Sequence, residues 1–227
     1  MQLKVWCLAP LSKVLYSRHI CNNSIHSTCI ESVVIIGELL YFRYMLLSPF
    51  RELTSIDAAL KVCVYMLGQD DPSKCTAAKL TRFGLAERIR HVSHNTLLLN
   101  PLSREILSRK EGISYGSVCA IDCSWEKAGE VLSRYRELRY GRHRRLPALL
   151  AANPTNYSKL GKLSSAEALA GCLFILGYED QAVQLLNKFK WGHTFLELNG
   201  ELLRDYLKAG SSRAVMETER QYFGQLY

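Results

Sequence analysis

Residues 117–152 read SVCAIDCSWEKAGEVLSRYRELRYGRHRRLPALLAA, and their pattern decides how this chain folds. Ser117–Ile121 is apolar after its first residue, as a strand buried on both faces would be. Trp125–Leu138 has helical spacing, and Ala148–Ala152 is a second apolar run that reads as a strand. Strand, helix and strand at this spacing form a βαβ unit, whose two strands must run parallel. Toward the N-terminus, Lys61–Leu67 (KVCVYML) is a short β-prone run ended by the turn cluster Gly68–Pro72. Thr76–Arg90 follows as an expected helix, Thr96–Leu99 as a strand and Ser103–Leu107 as a small helix. Toward the C-terminus the chain turns helical. Ser164 and Glu167 form a capping box that opens a helix ending at Gly177. Glu179–Phe189, Thr194–Ala209 and Ser212–Leu226 complete the series. The fold class expected is α/β, a parallel sheet flanked by helices, with additional C-terminal helices.

Apolar residues make up 48% of the 227 and charged residues 22%, the composition of a folded globular protein. No stretch reaches the roughly 18 apolar residues of a membrane span. Cys29–Leu47 comes nearest and is broken by Glu31, Glu38 and Arg43. The first 30 residues have no basic start followed by an apolar block, so they do not read as a secretory signal. Eight Cys are scattered with no C-x-x-C pair, which argues for free thiols in a reducing compartment and against zinc. Residues 1–60 read as an N-terminal extension with one helix near Ile30–Tyr44. An α/β domain is expected over 61–145 and a helix-rich one over 146–227. The net charge is +8, and it points to a polyanion, nucleic acid ahead of anionic lipid.

Ligands of open α/β sheets bind beyond the carboxyl ends of the strands, and three segments fall there. Asp70–Thr76 opens a helix, where backbone N–H groups favour a carboxylate or phosphate and Lys74 and Lys79 add charge. Its plainer reading is a helix capped by Ser73 or Thr76. Ile121–Trp125 follows an apolar strand, so Asp122 is either a base beside an aromatic wall or, like Ser124, a helix cap. Leu146–Ser165 is a long polar link, either a functional loop or an ordinary surface loop. Just before it stand six Arg in twelve residues, Arg134, Arg136, Arg139, Arg142, Arg144 and Arg145, interleaved with Tyr135, Tyr140 and His143. Arg grips phosphate and aromatic rings stack on bases, so RNA contact is favoured over a solvated face. His193 reads as a capping or core residue rather than a catalyst.

Four strings, DPSKCTAAKLTRFGL, AIDCSWEKA, RLPALLAANPTNYSKLGKLSSAEALAG and NKFKWGHTFLELN, together resemble the ribosome-biogenesis aminocarboxypropyltransferases of archaea and eukaryotes. The resemblance runs in register from about Lys61 to Lys208. It implies a SPOUT-like fold with a C-terminal trefoil knot, and S-adenosylmethionine as group donor. It also implies transfer of the 3-amino-3-carboxypropyl chain to an N-methylated pseudouridine of small-subunit ribosomal RNA, free or in a preribosomal particle. Position by position, Thr76, Ile121, Leu146, Gly161 and Ser165 match donor-binding residues. Lys74, Lys79 and Arg145 match basic positions facing RNA. Trp125 matches the residue packed on the donor's methyl group, with Asp122 placed as a base. The family's Tyr-Gly pair is Tyr157–Ser158 here.

A methyltransferase on the same scaffold and a non-catalytic rRNA-binding biogenesis factor are the alternatives. A DNA-binding protein is disfavoured because the C-terminal helices are too apolar to read bases. No metal and no membrane are expected, and a cytoplasmic monomer is the default.

Overall fold

The structure, a computed structural model, describes residues 59–68, 75–123 and 128–224. The expected helix at Ile30–Tyr44, the candidate cap residues Ser73 and Ser124, and the candidate site residues Lys74 and Trp125 lie outside the described residues.

The elements are β1 (Lys61–Met66), α1 (Thr76–Arg82), β2 (Glu87–Ile89), β3 (Thr96–Leu99), β4 (Ser117–Asp122), α2 (Ala128–Arg134), β5 (Arg142–Arg144), α3 (Ser165–Leu176), α4 (Glu179–Leu186), α5 (Gly192–Ala209) and α6 (Ser212–Phe223). The sheet has five strands in the order β2-β1-β4-β3-β5, with every neighbouring pair parallel. Side chains alternate across a strand, so each of the central strands β1, β3 and β4 feeds two cores. Val62, Val64, Leu97, Leu99, Val118 and Ala120 face the larger core with α1 and α3–α6. Cys63, Tyr65, Leu98 and Cys119 face a smaller one closed by Val131 and Leu138. Strands covered on both faces explain why β3 and β4 read as continuous apolar runs.

The capping box is present: Ser164 Oγ accepts from Glu167 N, Ser164 N donates to Glu167, and Gly177 ends α3 at φ +98°. Four expectations are corrected. The helix expected over Thr76–Arg90 stops at Arg82, because Gly84 turns left-handed at φ +68° and frees Glu87–Ile89 to pair with β1. No helix forms at Ser103–Leu107; Ile106 bridges Arg145, and a 3-10 turn follows at Arg109–Ile113. Among the described residues, the helix read over Trp125–Leu138 is α2, followed by a 3-10 turn at Arg136–Tyr140.

The fourth strand is Arg142–Arg144 rather than Ala148–Ala152, and hydrogen bonding explains the exchange. Arg142–Arg144 lies at the sheet edge, where its backbone bonds β3 and charged side chains are tolerated. The apolar 148–152 segment is largely buried, and its backbone groups are met by side chains and by the loop backbone rather than by a strand of the sheet: Ser158 N donates to Ala151 O, Ala151 N to Lys159 O and Gly161 N to Leu149 O. Glu219 accepts from Ala148 N, Asn199 bonds both N and O of Leu150, and Glu167 accepts from Ala152 N.

Cys63, Cys75, Cys119, Cys123 and Cys172 are free thiols. Burial pushes Cys63, Cys119 and Cys172 upward, and burial reinforced by Asp122 raises Cys75 to about 11. An unfolded thiol ionises near ~8.5, so above that pH the unfolded chain holds fewer protons than the native one. Stability from these thiols is complete below ~8.5 and declines above it, by up to about 1.4 kcal/mol per pH unit per protonated thiol. The urea midpoint is expected to hold from pH 7 to 8 and fall steeply between 9 and 10.5. An unchanged midpoint over that range would contradict the burial.

Candidate active site

The carboxyl ends of β3, β4 and β5 open into a cleft of about 1170 Å³, floored by Ile121 and Asp122 and walled by Leu146–Ala148, Asn153–Ser165 and the start of α1. That volume slightly exceeds the usual range for a small-molecule site. Phe189 and Trp191, stacked at 4.9 Å, form an aromatic side of the same cleft.

Asp122 is 8% exposed at the end of β4 and joins three distant segments. Cys75 Sγ donates to its Oδ2 at 3.1 Å, and Ser165 Oγ donates to Oδ1 at 3.2 Å. Cys75 also accepts from Ala78 N at 3.2 Å, so among the described residues the cap of α1 is this thiol rather than Thr76. With its ionisation displaced to about 11, Cys75 remains protonated at neutral pH and can keep donating. A carboxylate has about four acceptor positions, so two donors leave Asp122 able to take a proton. Thr76 Oγ1 accepts from Ala166 N at 3.4 Å, which brings the start of α1 against α3.

Glu167, fully buried, organises the loop that borders the cleft. It accepts from Ala152 N, from Asn153 N and Nδ2, and from Ser164 N, at 2.6–2.9 Å. The loop reverses through two left-handed residues, Ser158 at φ +61° and Gly161 at φ +70°. Ser158 occupies the position where the resemblance has Gly, and a side chain is strained there by roughly 1 kcal/mol. Ser158→Gly should therefore stabilise by about 0.5–1 kcal/mol, raising Tm by roughly 1–4 °C in a thermal melt. A lowered Tm would exclude the strain.

Thr76, Ile121, Asp122, Leu146, Gly161 and Ser165 all line the cleft, as do Lys79 and Arg145. The Arg run, however, divides. Arg145 is committed to Glu219 by a two-pronged pair at 2.9 and 2.8 Å, and Arg144 pairs with Glu105 and Glu111. His143 bonds Leu138 O and Asn100 Nδ2, so Nε2 carries the proton and Nδ1 accepts. Its role is structural. His193 is exposed in the first turn of α5, away from the cleft lining.

A sequence profile described as "Ribosome biogenesis protein, C-terminal" matches residues 97–223. The 16S rRNA aminocarboxypropyltransferase of Methanosarcina mazei is 42% identical over 162 residues, spanning 70% of this chain and 92% of that protein. The chain belongs to this family. Another 16S rRNA aminocarboxypropyltransferase, from Thermoplasma volcanium, is 46% identical over 70% of this chain and 95% of its own. In three dimensions the chain resembles the SAM-dependent rRNA:acp-transferase Tsr3 from Vulcanisaeta distributa, with a TM-score of 0.66 and 35% identity, covering 74% of this chain and 90% of that one.

A second profile, described as a possible Fer4-like domain in RNase L inhibitor, matches residues 60–91. Iron–sulfur clusters take four Cys ligands. That segment has only Cys63 and Cys75, and Cys75 is engaged with Asp122, so the donor set does not fit a cluster.

Sequence reasoning missed several parts of this aminocarboxypropyltransferase cleft. Cys75 stood inside a quoted motif but was passed over for its neighbours. Lys159 and Lys162 at the rim were legible as basic loop residues. Trp191 was visible in KWGHTF. Nothing in the sequence ties Glu219 to Arg145, 74 positions away.

Proposed function

We propose that this protein transfers the 3-amino-3-carboxypropyl group of S-adenosylmethionine to an N-methylated pseudouridine of small-subunit ribosomal RNA. The observation that carries the reading is the buried Asp122 carboxylate, fixed by Cys75 and Ser165 at the floor of the cleft.

The cleft's chemistry fits the donor. A cationic sulfonium is favoured beside Asp122, and open space surrounds the position a Cβ would take on Gly161. Thr76 would hold the donor's carboxylate through its backbone, and Ser165 its amino-acid end. The Ile121 carbonyl would meet the ribose, and backbone groups of Leu146 and Gly161 the adenine. Gly161 N–H already donates to Leu149 O, so Gly161 offers its carbonyl. Trp125 would cover the methyl group, a role that rests on the resemblance. When bound, S-adenosylmethionine supplies an electrophilic aminocarboxypropyl carbon and leaves as methylthioadenosine.

Which of the three sulfonium carbons reacts is then a matter of orientation by this lining. The target ring nitrogen is an imide that carries a proton at neutral pH. Asp122 accepts that proton as the new N–C bond forms, a step typically worth about 10²–10⁴-fold. Lys79, Lys159 and Lys162 give the rim the positive charge an RNA backbone requires.

The test is a dual-label assay with small-subunit RNA carrying the methylated pseudouridine and donor labelled separately in carboxyl and methyl groups. Carboxyl label alone on the RNA is expected. Methyl label alone would replace this reading with a methyltransferase. Binding without transfer of either label would leave a non-catalytic RNA-binding factor.

A further inference from the structure

We infer a second RNA-contact face at the amino ends of β3 and β5, built from Arg134, Arg136, Arg139, Arg142 and Tyr140, which grips the RNA flanking the target nucleotide. The inference rests on the RNA-transferase reading and adds to it a surface outside the cleft.

The chain path makes the division. β5 enters the sheet at Arg142 and leaves it toward the cleft after Arg144. Acids neutralise the exit: Glu105 and Glu111 hold Arg144, and Glu219 holds Arg145. The entry is different. Arg134, Arg136, Arg139 and Arg142 are all exposed. Glu130 approaches Arg134 at 3.8 Å with both side chains about 70% exposed, a contact too loose to cancel much charge. Arg139 reaches the Ser133 carbonyl at 3.4 Å, which leaves its charge intact. Arg136 and Arg142 have no ion-pair partner among the described residues.

Tyr140 lies between Arg139 and Arg142 along the chain and is 53% exposed, its ring edge-on to His94 at 5.1 Å. A surface tyrosine whose ring meets His94 edge-on and whose neighbours along the chain are arginines suits stacking on an unpaired base. Shielding an edge strand from another chain requires only a charge or two. Four exposed arginines within nine residues that also hold an exposed aromatic exceed that need and match the two requirements of single-stranded or looped RNA, phosphate contact and a stacking surface.

The geometry links this face to the cleft. At about 3.3 Å per residue, the three steps from Arg142 to the cleft-lining Arg145 cover roughly 10 Å. One folded RNA element can therefore cross the β5 edge with its target nucleotide in the cleft.

The experiment compares the full-length wild type with the triple variant Arg136→Gln/Arg139→Gln/Arg142→Gln and the corresponding triple Lys variant. A ribosomal RNA fragment containing the target and its flanking helices is titrated by filter binding at several salt concentrations. Isothermal titration with S-adenosylmethionine checks the cleft. The Gln variant is expected to bind RNA at least about tenfold more weakly, with a salt slope lower by about 2–3, while donor affinity is unchanged. The Lys variant restores most of the slope. In transfer kinetics the Gln variant raises KM for the long RNA and leaves kcat in place. Wild-type affinity and slope in the Gln variant overturn this inference alone, provided wild type transfers the label. A wild type that neither binds nor modifies RNA overturns both this and the transferase reading.

Discussion

Asp122→Asn is expected to slow single-turnover transfer by about 10²–10⁴-fold, equivalent to roughly 3–5 kcal/mol of transition-state stabilisation. On the proposed reading donor affinity should fall far less than the rate, because backbone groups around Thr76, Ile121, Leu146 and Gly161 would hold most of the donor and only its sulfonium charge would lose the attraction of Asp122. The fold should also survive. An asparagine keeps one carbonyl oxygen for the Cys75 thiol, and its amide can donate to Ser165 Oγ. What it loses is the capacity to take the imide proton. Rapid-quench measurement of carboxyl label on RNA, beside titration of donor binding, separates the two effects. Transfer at the wild-type rate would remove Asp122 from the chemistry and leave it as the joint between β4, α1 and α3. Loss of donor binding in step with rate would assign it to the donor instead.

Glu167→Gln is expected to destabilise the protein by about 3–5 kcal/mol, close to the cost of Glu167→Ala. The carboxylate is fully buried and receives four N–H donors, two on each oxygen. A glutamine of the same shape keeps only one acceptor oxygen. Its NH₂ would face Asn153 Nδ2 and Ser164 N, so donors would confront donors without water to separate them. The shift should appear as a lower urea midpoint with an unchanged slope. A loss below about 1 kcal/mol would mean that the loop does not depend on this carboxylate. The same substitution should weaken donor binding, since Glu167 fixes both ends of the loop that carries Gly161.

Much of this was legible in the sequence wherever a signal was local. The Ser164–Glu167 capping box and the stop at Gly177 located α3 almost to the residue. Continuous apolar runs located β3 and β4, because strands covered on both faces cannot show alternation. The segments holding Thr76, Asp122 and Ser165 were singled out by their motifs, and the structure brings them to one cleft.

The misplaced fourth strand has one physical cause. Apolar composition reports burial, and it does not report which groups will satisfy a buried backbone. Ala148–Ala152 looks like a strand because it is buried. Yet its amides and carbonyls are served by Glu167, Asn199, Tyr206 and Glu219, contributed by α3, α5 and α6, and by the loop backbone of Ser158, Lys159 and Gly161, rather than by a strand of the sheet. Arg142–Arg144 looks like a charged surface, yet of the three only Arg142 is exposed, Arg144 being held by Glu105 and Glu111; the segment is a strand because β3 offers it an edge.

The six arginines follow the same division. By itself the sequence determined the C-terminal helices and the central strands, through periodicity, caps and apolar runs within a few residues of each other. It also determined the excess of positive charge. Only the tertiary structure decided which arginines are neutralised, because Glu219 and Glu111 reach Arg145 and Arg144 across long sequence separations. It also decided that Cys75 and Ser165 meet on Asp122, since a hydrogen bond between residues 47 or 43 positions apart leaves no periodic trace in the chain.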